Sequence, residues 1–329
     1  MAMETARRPY QPPIIPPLTG GNRPLWSVMI PAYNCAAFLP ETLQSVLQQA
    51  LPPDRMQIEV VDDASTDADV KALVEQIGQG RIGYYRQPQN VGSLKNFETC
   101  INRAQGRLVH LLHGDDKVRN GYYGKIEKLF AQHPEAGAAF CRYAYINEKN
   151  EFLHYPGIEA KEDGVLKNWL VRIARRQRIQ YCAIAVKREV YEKLGGFYGV
   201  PYGEDWEMWA RMAVHYPVAY TPEVLAEYRR HAVSISGKSF LNGQNLRDLR
   251  WVINIIQTYL PEEEREGAKR EAYRFYAHYA LRTANSLWMA TRRGQGARAQ
   301  VREALRMHRD WKLFVKIAKL YTKMTLNIV

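Results

Sequence analysis

Two rhythms of apolar positions alternate along the first half of this chain. Residues 26–30, 58–61, 82–85 and 108–112 are short runs that are apolar nearly throughout. Runs of that length predict strands buried on both faces. Between them, apolar residues return at helical spacing: Leu39, Leu43, Val46, Leu47 and Ala50, then Val70, Leu73, Val74 and Ile77, then Leu94, Phe97, Ile101 and Ala104. A further helix is predicted over 122–131, and a fifth apolar run follows at 137–144. Strands alternating with helices predict an α/β fold, with a mostly parallel sheet covered on both faces.

The pattern loosens over 145–239. Helices are predicted at 188–194 and 204–214, flanked by short strands at 183–186 and 224–228. From residue 240 the spacing is helical throughout, with breaks expected near Pro261 and near Gly294-Gln295-Gly296. Residues 9–24 are dense in proline and predict an extended leader. The expected division is a leader over 1–24, an α/β domain over 25–239 and a helical region over 240–329. No internal repeat is visible.

Two pairs of acids change this picture, because each closes an apolar run. Asp62-Asp63 follows Ile58-Glu59-Val60-Val61, and Asp115-Asp116 follows Leu112 through His113-Gly114. Both pairs fall at the carboxyl ends of predicted parallel strands, where open α/β sheets bind ligands. Carboxylates gathered there repel one another, and a divalent cation or a donor-rich ligand relieves the repulsion. Three further segments carry candidate chemistry. Tyr33, in Pro31-Ala32-Tyr33-Asn34, offers a stacking surface for a base, or the segment is a plain strand-to-helix turn. Glu204 and Asp205 open a predicted helix; Asp205 reads as a general base, or both acids complement the helix dipole. In Tyr228-Arg229-Arg230-His231, His231 reads as a metal ligand and Arg229 or Arg230 as a phosphate holder, or all three are ordinary polar residues. One of Ser65, Thr66 and Asp67 is expected to cap the helix that follows.

Composition adds a partner. The 329 residues are 46% hydrophobic and carry a formal charge of +12, of which +9 lies in residues 240–329 and +3 in the rest. A basic rear half implies an anionic partner, either a membrane surface or a nucleic acid. The four scattered cysteines form no zinc cluster and no disulfide framework. No signal peptide is visible, and no stretch approaches the ~18 apolar residues of a membrane span. A cytoplasmic protein is expected.

Taken in order, Val28-Met29-Ile30-Pro31-Ala32-Tyr33-Asn34, Val60-Val61-Asp62-Asp63-Ala64-Ser65-Thr66-Asp67, Asn90-Val91-Gly92, His113-Gly114-Asp115-Asp116, Gly195-Gly196-Phe197 and Glu204-Asp205-Trp206 resemble a family two inverting glycosyltransferase. The resemblance covers about 26–239. It implies an A-type glycosyltransferase fold with a Rossmann-like half, a nucleotide-diphosphosugar donor (UDP- or dTDP-linked) and a divalent cation, Mn²⁺ or Mg²⁺. It implies that Pro31, Ala32, Tyr33, Asp62, Asp63, Asn90, Gly92 and Asp115 line the donor site. It implies that Asp116 and His231 hold the metal and that Asp205, beside Glu204, is the catalytic base. His113 stands where many members carry another acid. The acceptor implied is a saccharide or lipid-linked saccharide of the cell surface.

Two other functions fit single features. A nucleotidyltransferase also places acids at strand ends, but residues 31–38 lack the glycines and cations of a phosphate loop. A non-catalytic sugar-nucleotide binder would not need the acids, and a nucleic-acid binder would need a motif that the tail lacks; no nucleic acid partner is expected. In residues 311–329, Lys312, Lys316, Lys319 and Lys323 form one helical stripe among apolar residues. That helix either packs on the domain or on a second subunit, giving a homo-oligomer, or lies peripherally in an anionic membrane surface.

Overall fold

The computed structural model describes residues 11–231 and 235–328. The first ten residues of the proline-rich leader, residues 232–234 and Val329 lie outside the described residues. The chain forms two compact units, each drawn from several segments.

The first unit holds the described residues up to Lys167 with Ile179–Gly199 and His215–Arg230. Its first half runs β1 (Trp26–Ala32), α1 (Leu39–Leu47), β2 (Met56–Asp62), α2 (Val70–Gly78), β3 (Gly83–Arg86), α3 (Ser93–Arg103), β4 (Leu108–Leu111), β5 (Lys117–Val118) and α4 (Tyr122–Gln132). Then come β6 (Ala138–Asn147), β7 (Phe152–His154) and β8 (Gly164–Val165). After α5 (Trp169–Arg175), which belongs to the second unit, β9 (Ile184–Lys187) and α6 (Arg188–Leu194) return to the first. The helix α7 (Glu204–His215) precedes the long strand β10 (Val218–Arg230).

One sheet runs β3-β2-β1-β4-β9-β6-β10-β5, with β7 on β6 and β8 on β10. The pairings give β1, β2, β3, β4, β6 and β10 one direction, so the sheet is mostly parallel. The short strand β9 runs against both neighbours, and β5, β7 and β8 also run antiparallel. Every residue of β1 is buried, which is what a central strand covered on both faces requires. Trp26, Val28 and Ile30 join Leu39, Leu43 and Val46 of α1, Val70 and Val74 of α2, and Tyr122, Ile126 and Leu129 of α4 in one core. Met29 lies between them at the strand's period of two and faces the other way, on the side where α3 packs with Phe97, Cys100 and Ile101.

The second unit holds Asn168–Arg178, Val200–Val214 and the chain from His231 onward. It contains α5, most of α7, α8 (Ile235–Phe240), α9 (Gln244–Thr258), α10 (Glu262–Thr291), α11 (Gly294–Met307) and α12 (Trp311–Leu326). The 30-residue α10 is its axis and packs on α5, α9, α11 and α12. Its buried side intersperses Ala268, Ala272, Ala277, Ala280 and Ala284 with the larger Tyr276, Leu281 and Trp288.

Several expectations need correction. Ala50 falls outside α1, because Pro52-Pro53 follows and disfavours a continued helix. The break expected near Gly294-Gln295-Gly296 is present at Arg292-Arg293, where the left-handed φ of 55° at Arg292 ends α10 and the glycines open α11. The strand read as 224–228 extends over 13 residues, and register shifts around Pro222 mark a bulge where proline cannot pair. The cap of α2 is Asp69, whose carboxylate accepts from Ala72 N–H at 3.0 Å. Ser65, Thr66 and Asp67 are used elsewhere.

Candidate active site

The strand order places the carboxyl ends of β2, β1 and β4 side by side. The chain steps outward from β1 through β2 to β3, then returns to the opposite side of β1 as β4. Such a reversal leaves a crevice beyond the strand ends, and three loops meet there.

The loops after β1 and β2 are tied to each other. Asn34 takes the left-handed conformation, with φ of 48°, which asparagine tolerates better than most residues. Its Oδ1 accepts from Thr66 N–H at 2.8 Å, and its own N–H donates to Ser65 Oγ at 3.0 Å. Asp67 accepts from Ala36 N–H at 2.9 Å. That is why these residues do not cap α2. Beneath them, Asp63 N–H donates to the Ala32 carbonyl at 2.8 Å, and Gly114 N–H to the Pro31 carbonyl at 3.1 Å. Gly114 must be glycine here, since a Cβ would lie 2.7 Å from Cys35 Sγ. The outer surface of this layer is Tyr33, 46% exposed.

The two adjacent acids after β2 do different work. Asp62 is fully buried, and its carboxylate accepts from Ser65 N–H at 2.9 Å, from Tyr84 O–H at 2.8 Å and from Arg86. Tyr84 and Arg86 belong to β3, and Arg86 is paired with Asp62 in register. Asp63 reaches the other way, into the loop before α3. Its Oδ1 accepts from Val91 N–H at 2.7 Å, and its Oδ2 from Asn90 Nδ2 and Gly92 N–H, both at 3.0 Å. Burial pushes the Asp63 carboxyl up, against the Val91 and Gly92 N–H groups that hold it down. Three donors leave roughly one acceptor position of about four on this carboxylate. Asp63, Asn90 and Gly92 therefore stand together, as the sequence grouped them, while Asp62 is turned into the protein.

The loop after β4 carries the third group. A ring nitrogen of His113 and one carboxylate oxygen each from Asp115 and Asp116 lie within 4.8 Å of one another. Asp116 is 1% exposed. Its Oδ1 accepts from Arg229 N–H at 2.8 Å, whereas its Oδ2 is buried without a hydrogen-bond partner. Burial first, and then Asp115, push the Asp116 carboxyl up. The imidazole of His113 stacks against Phe97 and Tyr181, with ring centroids 5.0 and 4.3 Å away, in a three-ring cluster where Phe97 and Tyr181 also meet at 5.3 Å, and its Nε2 is also buried without a partner. Burial pushes this imidazole down, toward the neutral form that binds metal. An orphaned carboxylate oxygen, an orphaned imidazole nitrogen and a second carboxylate fit a divalent cation by the chemistry of the donor set.

Arg229 does not hold phosphate as the sequence allowed. Its guanidinium is buried and committed to protein acceptors: the Asp115 carbonyl at 2.8 Å, Asn150 Oδ1 at 2.8 Å, the Asn147 carbonyl at 3.2 Å and Glu41 at 2.9 Å. It positions the acidic loop. Arg230, the last residue of β10, is exposed.

Glu204, Asp205 and His231 belong to the second unit. Glu204 is buried and Asp205 half-buried at the first turn of α7. Asp205 accepts from Trp206 N–H at 2.6 Å and from Gln177 Nε2. Gln177 is itself held, its Oε1 accepting from Arg178 N–H at 2.7 Å and its N–H donating to Tyr276 Oη at 3.0 Å. Burial pushes the Asp205 carboxyl up to about 6, with Trp206 N–H and Gln177 opposing. That value suits a base working near neutrality. His231 is half-buried and follows β10 directly.

The sequence reading passed over Gln177, Tyr84, Arg86 and the positioning role of Arg229. All four act on residues 22 to 114 positions away, so no local motif announces them. His113 was noticed only as a departure from an acidic pattern, and that departure is the signal that could have marked it.

Comparison with known proteins gives a consistent picture. The pattern of the family described as Glycosyl transferase family 2 matches residues 27–195. TuaG of Bacillus subtilis, named for a glycosyltransferase of teichuronic acid biosynthesis, is 32% identical over 157 residues, 45% of this chain and 60% of that protein. An uncharacterized Mycobacterium tuberculosis protein, MT1568, is 25% identical over 268 residues, 75% of this chain and 80% of the relative. Among solved structures, residues 1–349 of S. aureus TarS in complex with UDP-GlcNAc superpose with a TM-score of 0.64 at 15% identity, covering 85% of this chain and 79% of TarS 1–349. At that identity the likeness is one of fold.

Proposed function

The chain belongs to glycosyl transferase family 2 and is a glycosyltransferase, and we propose that it transfers a sugar from a UDP-sugar, with inversion, to a hydroxyl of a cell-surface saccharide. The observation that carries this reading is the meeting of the Asp63 loop, Tyr33 and the His113-Asp115-Asp116 group beyond three adjacent strand ends. Family membership displaces the nucleotidyltransferase reading. The UDP-GlcNAc in TarS and the polymer in TuaG's name make a UDP-N-acetylhexosamine and a cell-wall acceptor the first to try.

Each residue has a proposed part. Tyr33 stacks on the base, and the remaining acceptor position of Asp63 takes the imide N–H of uracil. Asp115 stands near the ribose. His113, Asp115 and Asp116 hold a divalent cation, which when bound supplies Lewis-acid stabilisation of the departing diphosphate. One imidazole among the ligands favours Mn²⁺ over Mg²⁺, because Mg²⁺ prefers an all-oxygen shell. His231 is a further candidate ligand. Asp205, with Glu204 beside it, takes the proton from the acceptor hydroxyl. The freed oxygen bonds to the anomeric carbon as the bond to the β-phosphate oxygen breaks, and that oxygen keeps the electron pair. A single displacement inverts the centre, as in one-step glycoside hydrolysis. Water must be excluded, or it takes the acceptor's place.

A screen of nucleotide sugars with Mn²⁺ or Mg²⁺, read as release of nucleoside diphosphate, tests the proposal. Release from one or a few UDP-sugars supports it. No release and no binding of any nucleotide sugar with either metal would sink it.

A further inference from the structure

We infer that the outward face of α12 is a docking surface for an anionic lipid bilayer. The inference does not depend on the donor or base assignments above.

From its sequence this helix was open to two readings, packed or interfacial, and the structure shows a packed helix that keeps a second apolar face. Leu313, Ile317 and Leu320 are buried, and the helix packs on α10. Its ends are fixed. Asp310 caps it by accepting from Leu313 N–H at 2.6 Å, and the same carboxylate meets His278 and His308, each at 3.2 Å. At the other end, Trp288 Nε1 and the Arg292 guanidinium donate to the Ile328 carbonyl at 3.3 and 3.0 Å. The helix is held on the unit, so the side it turns to solvent is presented by construction.

That side is apolar. Trp311 is 70% exposed, Phe314 51% and Leu326 62%, and Val315 and Tyr321 are exposed beside them. At 100° per residue, Trp311, Phe314, Val315, Ala318 and Tyr321 fall on one arc, which also holds the exposed Thr322 and Thr325, away from the buried Leu313-Ile317-Leu320 line. Scattered exposed apolar residues are ordinary, but a contiguous arc on one helix marks an interaction site.

Charge selects the occupant. Lys312, Lys316, Lys319 and Lys323 lie along one border of the arc, and α12 has no acidic residue. Residues 292–329 hold ten Lys and Arg against two acids. Both acids are engaged, Glu303 with Arg250 and Arg306, and Asp310 at the cap. The start of α11 touches the end of α12, since a Cβ on Gly294 would lie 2.8 Å from Met324 Cε, and Arg298 donates to the Gly294 carbonyl. Aromatic and aliphatic side chains flanked by lysines long enough to reach headgroups suit an interfacial helix. No helix among the described residues is long and apolar enough to cross a membrane, so attachment of this kind lies in the interface plane.

The test uses the full chain and sedimentation with two vesicle types, phosphatidylcholine alone and phosphatidylcholine mixed with phosphatidylglycerol. Binding to the mixed vesicles only, weakened by salt, is expected. Phe314→Asp should lower that binding at least about tenfold. Replacing the four lysines by glutamine should lower it by about fivefold per lysine. These side chains are exposed, so unchanged thermal melting of both variants is expected. UDP-sugar hydrolysis without vesicles is read in parallel, so its failure counts against the proposed function and not against docking. Equal binding to both vesicle types, or to neither, overturns the inference. So does a wild-type dimer in size-exclusion chromatography that Phe314→Asp converts to monomer, because the face then belongs to a second copy.

Discussion

If Asp205 is the base, its protonation must be visible in the rate. The carboxyl sits at about 6 instead of its ordinary 3.8, and the cause is burial. The base works only when ionised, so turnover rises with pH through that value and levels off above it. About nine-tenths of Asp205 is ionised at pH 7 and about a tenth at pH 5. The rate should therefore fall roughly tenfold between them, where a carboxylate at its ordinary value would lose less than a tenth. Gln177 makes the argument specific. Its Nε2 donates to the Asp205 carboxylate and so favours the charged form. A hydrogen bond to a charged group contributes ~1.5–3 kcal/mol, and one pKa unit is about 1.4 kcal/mol. Taking the lower end for a half-buried site, Gln177→Met should move the acid limb about one unit toward alkaline pH.

The assay is UDP-sugar hydrolysis at saturating donor and metal across acid to mildly alkaline pH, with circular dichroism at each pH to confirm that the fold persists. Asp205→Asn should remove the limb and lower turnover about 10²–10⁴-fold, the usual range for a general base. Nucleotide affinity should change little. A wild-type rate that stays flat down to pH 5 refutes the reasoning. So does a limb that Gln177→Met leaves where it was, because Asp205 would then not be the group that titrates.

Three other outcomes follow from the donor side. Asp116→Ala should abolish transfer and weaken UDP binding in the presence of Mn²⁺ but not in its absence, measured by calorimetry; equal loss in both would mean a collapsed loop. His113→Asp restores an all-oxygen ligand set and should raise the Mg²⁺-supported rate relative to the Mn²⁺-supported one, and an unchanged ratio would remove His113 from the metal. Arg229→Met strips donors from the buried Asp115 and Asn147 carbonyls and should cost about 2–4 kcal/mol in urea unfolding; a variant as stable as the parent would contradict its positioning role.

The parts of this fold that could be read in advance are those with a local cause. Central parallel strands must be apolar on both faces, so β1, β2 and β4 stood out, and with them the acids at their ends. Local reading also explains what was misjudged. Asp62 and Asp63 look equivalent in the chain, yet one turns to Tyr84 and Arg86 of the neighbouring strand and the other to the loop at residues 90–92. Neighbours on a strand point to opposite sides, and what each side contains is a long-range fact. The cap of α2 was misassigned for the same reason, because Ser65 and Asp67 have partners some 30 residues away in the loop after β1. The antiparallel β9, only four residues long, gives no pattern strong enough to show where it inserts.

The loops of the proposed donor site and the hairpin from β6 into β7 differ in how they are held, and that difference bears on specificity. Around the proposed donor site the polar groups are spent across loops: Asn34 on Thr66, Asp63 on residues 90–92, Arg229 on the Asp115 carbonyl. A constellation locked this way is preorganised for one kind of ligand, and a change in it disturbs several loops at once. The hairpin from β6 into β7 is built differently. Phe152, Leu153, Tyr155 and Ile158 are exposed there, while the backbone between them is held by the short pairing of β7, by Arg142 donating to the Pro156 carbonyl at 2.8 and 2.9 Å and by His154 stacked on Tyr145. Loops of this kind carry variable recognition on a rigid scaffold. Substitutions at Phe152 or Ile158 should therefore alter acceptor use while UDP-sugar hydrolysis stays near the parent rate. Loss of hydrolysis in either variant would place the hairpin in the donor site instead.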